Sequence, residues 1–215
     1  KQAELIVHWM RVGFIHGVMN TDNMTMCGET IDYGPCAFMD SYDPNTVFSS
    51  IDHMGRYAFA NQPKIAQWNL ARLAETLLQL IDEDINNAIK LAEDTINQFP
   101  TIYQKKWLMM MNSKLGLFGS HKGDDQLVSD LLDWMYKNKA DYTNTFWDLS
   151  QSDTPNSKLY QEREFKDWYL RWKNRLMKNT KPLKSSINHM RSVNPVLIPR
   201  NHKVEQALEA AAAND

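Results

Sequence analysis

The chain has few of the features that mark secreted, membrane or nucleic-acid-binding proteins. Its 215 residues include two cysteines, Cys27 and Cys36. They could pair, but two thiols in a chain of this size fit a reducing compartment better than a disulfide framework. No apolar run approaches the ~20 residues of a membrane span, and no signal peptide is visible. A formal net charge of −2 argues against bulk attraction to nucleic acid or to an anionic membrane.

Glycine-rich nucleotide loops and internal repeats are also missing. The sequence contains neither a G-x-G-x-x-G motif nor a Walker lysine. It begins at Lys1 inside a predicted helix, without an initiating methionine, and it closes in an alanine run over residues 210–213. Because both ends look cut, we expect the chain to be a fragment of a longer protein.

What the sequence does contain is a series of helical patterns. Its 43% apolar and 23% charged residues are ordinary for a globular protein, and its length allows one sizeable core. Apolar residues recur at helical spacing, and the aromatic and methionine stripes are assigned to the core. We therefore predict a mainly α fold forming a single helical domain over residues 1–215. The predicted helices cover residues 1–14, 63–81, 85–96, 102–115, 124–135, 141–149, 160–177 and 183–191, with a last one from 202.

Two details of helix capping and two loops are predicted as well. Thr101 and Gln104 form a capping box that should open the third long helix. Asn61 and Gln62 are expected to cap the helix that begins at Pro63. Residues 38–63 read as a long irregular connection of the kind that is often functional. Residues 151–157 read as a polar loop.

Residues 11–35 hold the densest chemistry of the chain. Alternating runs on either side of Gly28-Glu29 predict a tight hairpin that would bring Asn23 and Asp32 together at its base. A carboxylate and an amide oxygen are hard ligands suited to Mg²⁺ or Mn²⁺, with part of the coordination shell left to phosphate. Asp22 would point into the same space, where it could orient or deprotonate a nucleophile.

The same stretch can be compared with the catalytic loop of protein kinases, H-R-D-x-x-x-x-N followed by D-F-G. With His16 in the histidine position, the metal-binding asparagine falls on Asn23 and the metal-binding aspartate on Asp32. The arginine and catalytic aspartate positions fall on Gly17 and Val18. Valine cannot accept a proton, so this is not an ordinary kinase loop, and Asp22 is the nearest replacement acid.

That departure marks a particular family. Residues 16–23, HGVMNTDN, together with residues 30–35, TIDYGP, closely resemble the selenoprotein O (SelO, YdiU) family. Supporting matches are Gly55-Arg56-Tyr57, Asn61-Gln62-Pro63, Trp68-Asn69-Leu70, Asn194-Pro195 and Pro199-Arg200-Asn201-His202. These motifs run from near residue 11 to near residue 210, so the resemblance covers essentially the whole chain.

The resemblance implies a protein-kinase-like C-lobe and a protein adenylyltransferase in the cytoplasm of a bacterium. Such enzymes transfer AMP from ATP to Ser, Thr or Tyr hydroxyls of proteins and use Mg²⁺ or Mn²⁺. Carried over by residue, Asp22 is the catalytic base, and Asn23 and Asp32 bind the metal and through it the nucleotide. The N-lobe that holds the ATP phosphates in this family is absent, so we expect the fragment alone to be inactive.

Other assignments compete with this one. The chain could belong to an ordinary phosphotransferase, to a non-catalytic pseudokinase scaffold, or to a helical interaction module with a purely structural hairpin. His16 is expected to brace the loop rather than to react. Arg56 could pair with a phosphate, although an internal salt bridge is the favoured assignment. Cys27 and Cys36 are expected to be small buried residues.

Overall fold

The computed structural model describes residues 1–151 and 157–213, and most of the polar loop predicted over residues 151–157 lies outside that part. The described residues form a mainly helical fold, as the sequence predicts. Its helices are α1 (Gln2–Val12), α2 (Gln62–Ile81), α3 (Ile85–Ile96), α4 (Phe99–Lys114), α5 (Asp124–Lys137), α6 (Tyr142–Leu149), α7 (Arg163–Leu176), α8 (Leu183–Val193) and α9 (Asn201–Ala212). Strands β1 (Phe14–Ile15) and β2 (Ala37–Phe38) form a two-stranded sheet.

Most predicted helix boundaries are confirmed to within a few residues, but two capping assignments are wrong. Helix α4 starts at Phe99, so Thr101 lies inside it and no capping box opens there. At the start of α2, Asn61 makes no side-chain capping bond. The Gln62 side chain is buried and instead accepts the backbone N–H of His16 at 3.0 Å. These amides are used for tertiary contacts that a local pattern cannot reveal.

The residues group into two compact units. The first unit contains Lys1–Met10, Ile15–Cys36 and Asn45–Trp107, and the second contains Arg11–Phe14, Ala37–Pro44 and Leu108–Asp215. The single helical domain over residues 1–215 stays a prediction. None of the described helices is long and apolar enough to cross a bilayer.

In the first unit, α1 and α2 hold the loop that follows β1. The α1 side chains Gln2 and Trp9 donate hydrogen bonds to Thr25 O, at 2.5 Å, and to Thr30 Oγ1, at 2.8 Å. These bonds fix both arms of the predicted hairpin. Helix α2 packs against α3, and the amide of its buried Asn69 donates to Met19 O at 3.0 Å.

Gly17 shows how closely this loop is packed. Its φ of +84° lies in the left-handed region, and a Cβ placed there would meet Pro35 O at 1.9 Å and Phe48 O at 2.6 Å. Backbone carbonyls on both sides leave no space for a side chain. Residue 17 can therefore hold only glycine here.

The second unit is built around aromatic rings. Helices α5 and α7 pack together, and Trp168 of α7 donates its indole N–H to Leu127 O at 2.8 Å. Trp172 donates in the same way to Leu115 O at 2.9 Å. Buried indoles usually find a hydrogen-bond partner, and these two find backbone carbonyls. The prediction that the aromatic stripe belongs to the core is confirmed.

A buried ion pair crosses the same unit. Arg175 Nε donates to Asp124 Oδ1 at 2.6 Å, and both side chains are less than a tenth exposed. Burial by itself would raise the pKa of the Asp124 carboxyl. The hydrogen bonds from Arg175 and from the His121 backbone N–H, together with the Arg175 charge, outweigh burial and lower that pKa below its ordinary value.

We expect Asp124→Asn to lower the free energy of unfolding by about 3–5 kcal/mol at neutral pH, because it leaves the Arg175 charge buried without an anion. A carboxyl whose pKa is lowered by folding stabilises the protein fully above its unfolded pKa of about 3.9, and this stabilisation is lost as pH falls below that value. The difference in unfolding free energy between the Asp124→Asn variant and the parent should therefore become smaller in acid. Urea unfolding followed by tryptophan fluorescence measures both free energies. The neighbouring Asp125 is exposed, so an equal loss in Asp125→Asn would contradict the assignment.

Gly17→Ala should destabilise the protein by more than the about 1–2 kcal/mol that a left-handed backbone costs an L-residue. The added methyl group must also displace a backbone carbonyl. Gly119→Ala is the matched control, since Gly119 has a φ of +73° and no atom lies within 4 Å of the point that its Cβ would occupy. Equal losses of unfolding free energy in the two variants would show that contact with Pro35 and Phe48 is unimportant.

Candidate functional site

The candidate site lies on the loop and hairpin that follow β1, all within the first unit. Residues Thr21–Asn23 form one 3₁₀ turn, in which Asp22 is exposed and Asn23 is half-buried. After this turn the chain reverses, and Met24 pairs with Thr30 in a single antiparallel bridge. The hairpin that the sequence predicts is present in outline, with one bridge in place of two regular strands.

The turn of the hairpin falls earlier than predicted. Gly28 N donates to Thr25 O at 3.3 Å, so Met26 and Cys27 occupy the centre of the turn rather than Gly28-Glu29. Cys27 is exposed at this tip, which contradicts the expectation that both cysteines are buried. Cys27 and Cys36 are both free thiols, and Cys36 is half-buried.

His16 connects the loop to the far arm of the hairpin. Its ring is buried, and Nε2 lies 2.9 Å from Ile31 O, directly before Asp32. Nδ1 accepts the Val18 backbone N–H at 3.4 Å. An Nδ1 that accepts leaves the hydrogen on Nε2, which then donates to the Ile31 carbonyl. The structure therefore gives His16 a bracing role.

The orientation of the Asn23 amide is fixed by its partner. Nδ2 donates to Val18 O at 3.0 Å, and a carbonyl oxygen can only accept, so the amide nitrogen must face it. The amide oxygen is then turned away, with no hydrogen bond to it within residues 1–151 and 157–213. An amide oxygen held in this way is available as a hard ligand.

Asp32 adopts an uncommon backbone conformation. Its φ of 54° lies in the left-handed region, and its side chain is exposed. Aspartate tolerates this region better than most residues, and such conformations cluster at functional sites. Gly34 and Cys36 form a tight turn directly afterwards, with a 2.8 Å bond from Cys36 N to Gly34 O.

In the part of the chain that the structure describes, the carboxylates of Asp22 and Asp32 take part in no hydrogen bond and no ion pair. The Met24–Thr30 bridge closes the hairpin between them, with Asn23 directly before it and Asp32 two residues after it. Two uncompensated carboxylates and one free amide oxygen thus lie at the ends of one closed loop.

Asn23 and Asp32 offer suitable ligand atoms for a divalent cation, but too few of them to complete its coordination shell. Carboxylate and amide oxygens are the ligands that Mg²⁺ and Mn²⁺ prefer. No group of three His, Cys, Asp or Glu side chains that could hold a metal occurs among the described residues. An ion at Asn23 and Asp32 would therefore take the rest of its shell from water or phosphate.

A cavity of about 450 Å³ borders the 3₁₀ turn at Thr21. Its walls come from the hairpin and from α2 and are mostly apolar, with Met24, Leu70 and Leu73 among them. The arginine on its lining, Arg72, is paired with Glu75 at 2.5 Å. As far as the described residues reach, the cavity therefore offers no uncompensated cation for phosphate groups.

The sequence predicts Asp22, Asn23 and Asp32 as candidate site residues, but it does not reveal most of the contacts that hold their loop. Trp9, Gln62 and Asn69 hold the loop through bonds to Thr30, His16 and Met19. The seven-residue spacing of Gln62 and Asn69 was visible, and it places both amides on one helix face. Nothing in the sequence alone names the backbone atoms that they bind.

Known proteins provide independent information. The profile of a family described as protein adenylyltransferase SelO matches residues 1–215. The chain is 60% identical over 213 residues to a protein nucleotidyltransferase YdiU of Nitrosococcus oceani, which covers 99% of this chain and 43% of that protein. It is 58% identical over 215 residues to the protein of that name from Alcanivorax borkumensis, covering 100% of this chain and 44% of the relative.

A third relative, the protein nucleotidyltransferase YdiU of Pelagibacter ubique, is 54% identical over 215 residues, again covering 100% of this chain and 44% of that protein. The chain thus spans less than half the length of these curated relatives. Both the profile match and the identities extend over essentially all of its residues. The chain belongs to the SelO family.

Proposed function

We propose that this chain is the part of a longer SelO-family protein that carries the catalytic and metal-binding side chains of protein adenylylation. In this proposal its helices form a protein-kinase-like C-lobe. The observation that carries the proposal is the set of oxygen atoms left unpaired at the ends of the hairpin, on Asp22, Asn23 and Asp32. The family profile and the printed names of the relatives support a nucleotidyl transfer.

Each side chain has a defined task. A Ser, Thr or Tyr hydroxyl of the acceptor protein attacks the α-phosphorus of ATP, pyrophosphate leaves, and Asp22 accepts the hydroxyl proton. Asn23 and Asp32 would hold Mg²⁺ or Mn²⁺ on the nucleotide phosphates. When bound, the ion offsets the negative charge that develops on the phosphoryl group under attack.

The structure supports these roles through what surrounds the three side chains. Val18 O fixes the Asn23 amide, and His16 holds the Ile31 carbonyl directly before Asp32. Support of this kind keeps the ligands in place before an ion binds, which lowers the reorganisation needed for catalysis. Val18 occupies the position where an ordinary kinase has its catalytic base, so phosphoryl transfer by the usual route has no proton acceptor there.

The deciding experiment is mass spectrometry of acceptor proteins incubated with the longer protein, ATP and Mg²⁺. An added AMP group supports adenylylation. An added phosphate group supports a phosphotransferase, and an unmodified acceptor supports a pseudokinase scaffold. The 215-residue chain, tested in parallel, is expected to transfer nothing, because it contains no glycine-rich loop or Walker lysine for the ATP phosphates.

Asp32→Asn should reduce AMP transfer by at least about 100-fold, because it removes the charged metal ligand. Asparagine keeps the size of aspartate and tolerates the left-handed backbone, so the fold should persist, whereas Asp32→Ala adds backbone strain. Rates are measured by radiolabelled AMP incorporation. Glu29→Gln neutralises another exposed carboxylate of the same hairpin and should keep the parent rate. Normal transfer by Asp32→Ala or Asp32→Asn would refute the metal assignment.

Asp22→Asn should lower kcat by about 100-fold to 10,000-fold, the usual contribution of a general base. The KM for ATP should change little, because Asp22 is assigned to the acceptor proton rather than to the nucleotide. Steady-state kinetics at several ATP concentrations separates the two constants. A variant with unchanged kcat and a raised KM for ATP would instead place Asp22 among the nucleotide-binding groups.

A further inference from the structure

Arg56 carries a positive charge that no carboxylate of the described residues neutralises. Its side chain is exposed, and it takes part in none of the ion pairs found within residues 1–151 and 157–213. The internal salt bridge favoured from the sequence is therefore not formed. Instead the Arg56 guanidinium carbon lies 4.6 Å from the ring centroid of Trp68 and 5.7 Å from that of Tyr57.

Stacking on Trp68 orients Arg56 without neutralising it. An aromatic face attracts a guanidinium through its quadrupole, while the N–H donors at the edge of the group stay free. Those donors form a planar fork that matches a carboxylate or a phosphate with two parallel hydrogen bonds. A cation positioned in this way is prepared to bind an anion from outside the unit.

Arg72 provides an internal comparison, because it contacts the same tryptophan. Its guanidinium carbon lies 5.1 Å from the Trp68 ring centroid, and its Nη2 is paired with Glu75 Oε1 at 2.5 Å. Arg72 is thus neutralised by a glutamate of its own helix. Arg56 has no such partner among the described residues, so its charge is available.

The backbone around Arg56 is held in place. The Asp52 carboxylate accepts the backbone N–H groups of Arg56 and Tyr57, both at 2.8 Å. Asn61 Nδ2 donates to Gly55 O at 2.7 Å. Asp52 is thus occupied by backbone donors, and Arg56 projects from a segment fixed on both sides.

Tyr57 connects this segment to the catalytic loop. Its hydroxyl donates to Asn20 Oδ1 at 2.5 Å, and Asn20 precedes Asp22 by two residues. Arg56 therefore lies beside the loop that carries the proposed base. We propose that Arg56 binds an acidic side chain of the acceptor protein, close to the hydroxyl that Asp22 deprotonates. This inference rests on the proposed function and names the acceptor class: hydroxyl side chains with a nearby carboxylate.

The single charge of Arg56 favours a carboxylate, rather than the nucleotide, as its partner. Arg56 offers one uncompensated positive charge, which matches one carboxylate. A triphosphate carries several negative charges and needs several cations or metal ions. Trp68 is 40% exposed, so the stacked pair forms an open surface that a polypeptide can reach.

The test uses synthetic peptides that carry one serine and differ only in a neighbouring glutamate, glutamine or phosphoserine. Binding to the longer protein is measured by fluorescence anisotropy without ATP. The glutamate peptide should bind about 2-fold to 5-fold more tightly than the glutamine peptide, as expected for an exposed charged pair. This preference should weaken at high salt. Arg56→Gln should abolish it, and Arg72→Gln, the matched control on the same ring, should keep it.

Several outcomes overturn the proposal. It fails if the parent protein does not distinguish the peptides, or if Arg72→Gln loses the preference as fully as Arg56→Gln does. If the phosphoserine peptide binds more tightly than the glutamate peptide, Arg56 is reassigned to phosphorylated acceptors. A raised KM for ATP in Arg56→Gln, with the peptide preference intact, would reassign it to the nucleotide.

Failure of this inference can be told apart from failure of the proposed function. If the glutamate preference depends on Arg56 but no AMP is transferred to any acceptor, the surface assignment stands and adenylylation is refuted. If AMP is transferred at equal kcat/KM to the glutamate and glutamine peptides, adenylylation stands and the role of Arg56 is refuted.

Discussion

Two buried amides on one face of α2 hold the loop on which the site depends. Gln62 accepts the backbone N–H of His16, and Asn69 donates to the backbone carbonyl of Met19. The two bonds fix this backbone on both sides of the left-handed bend at Gly17. Loss of either amide would leave a buried backbone group without its partner.

Four carboxylates of the described residues have two different kinds of surroundings. Asp124 is enclosed by Arg175, the His121 N–H and the amide of Asn112, and Asp141 is paired with Arg200. These carboxylates are satisfied within the fold and contribute to its stability. Asp22 and Asp32 are supported through the backbone around them, while their own oxygens stay unpaired within the described residues. A site that must bind a cation needs this arrangement, because a carboxylate already paired with arginine or lysine has lost most of its attraction for metal.

Much of the fold followed from periodicity. Helix α3 was predicted at the boundaries that the structure has, and α2 and α7 were placed to within a few residues, because their apolar residues recur at the helical period. Several of the errors concern polar side chains. Gln62 and Thr101 looked like capping residues, yet Gln62 bonds to His16, and α4 begins two residues before Thr101. Arg56 looked like half of a salt bridge, yet it stacks on Trp68. The spacing of residues in the sequence does not show which partner a side chain has, because these partners become neighbours only on folding.

The sequence by itself determined the mainly α fold class and the chain reversal between residues 22 and 32, and it predicts the three side chains to which the proposal assigns the chemistry. It could do so because helical periodicity, turn residues and oxygen ligands are local properties of the chain. Only the tertiary structure decided that Gly17 is enclosed by two carbonyls, that the Asn23 amide presents its oxygen, and that Arg56 is left with an uncompensated charge. Each of these depends on atoms from segments distant in sequence, whose positions are set by packing and hydrogen bonding in the folded unit.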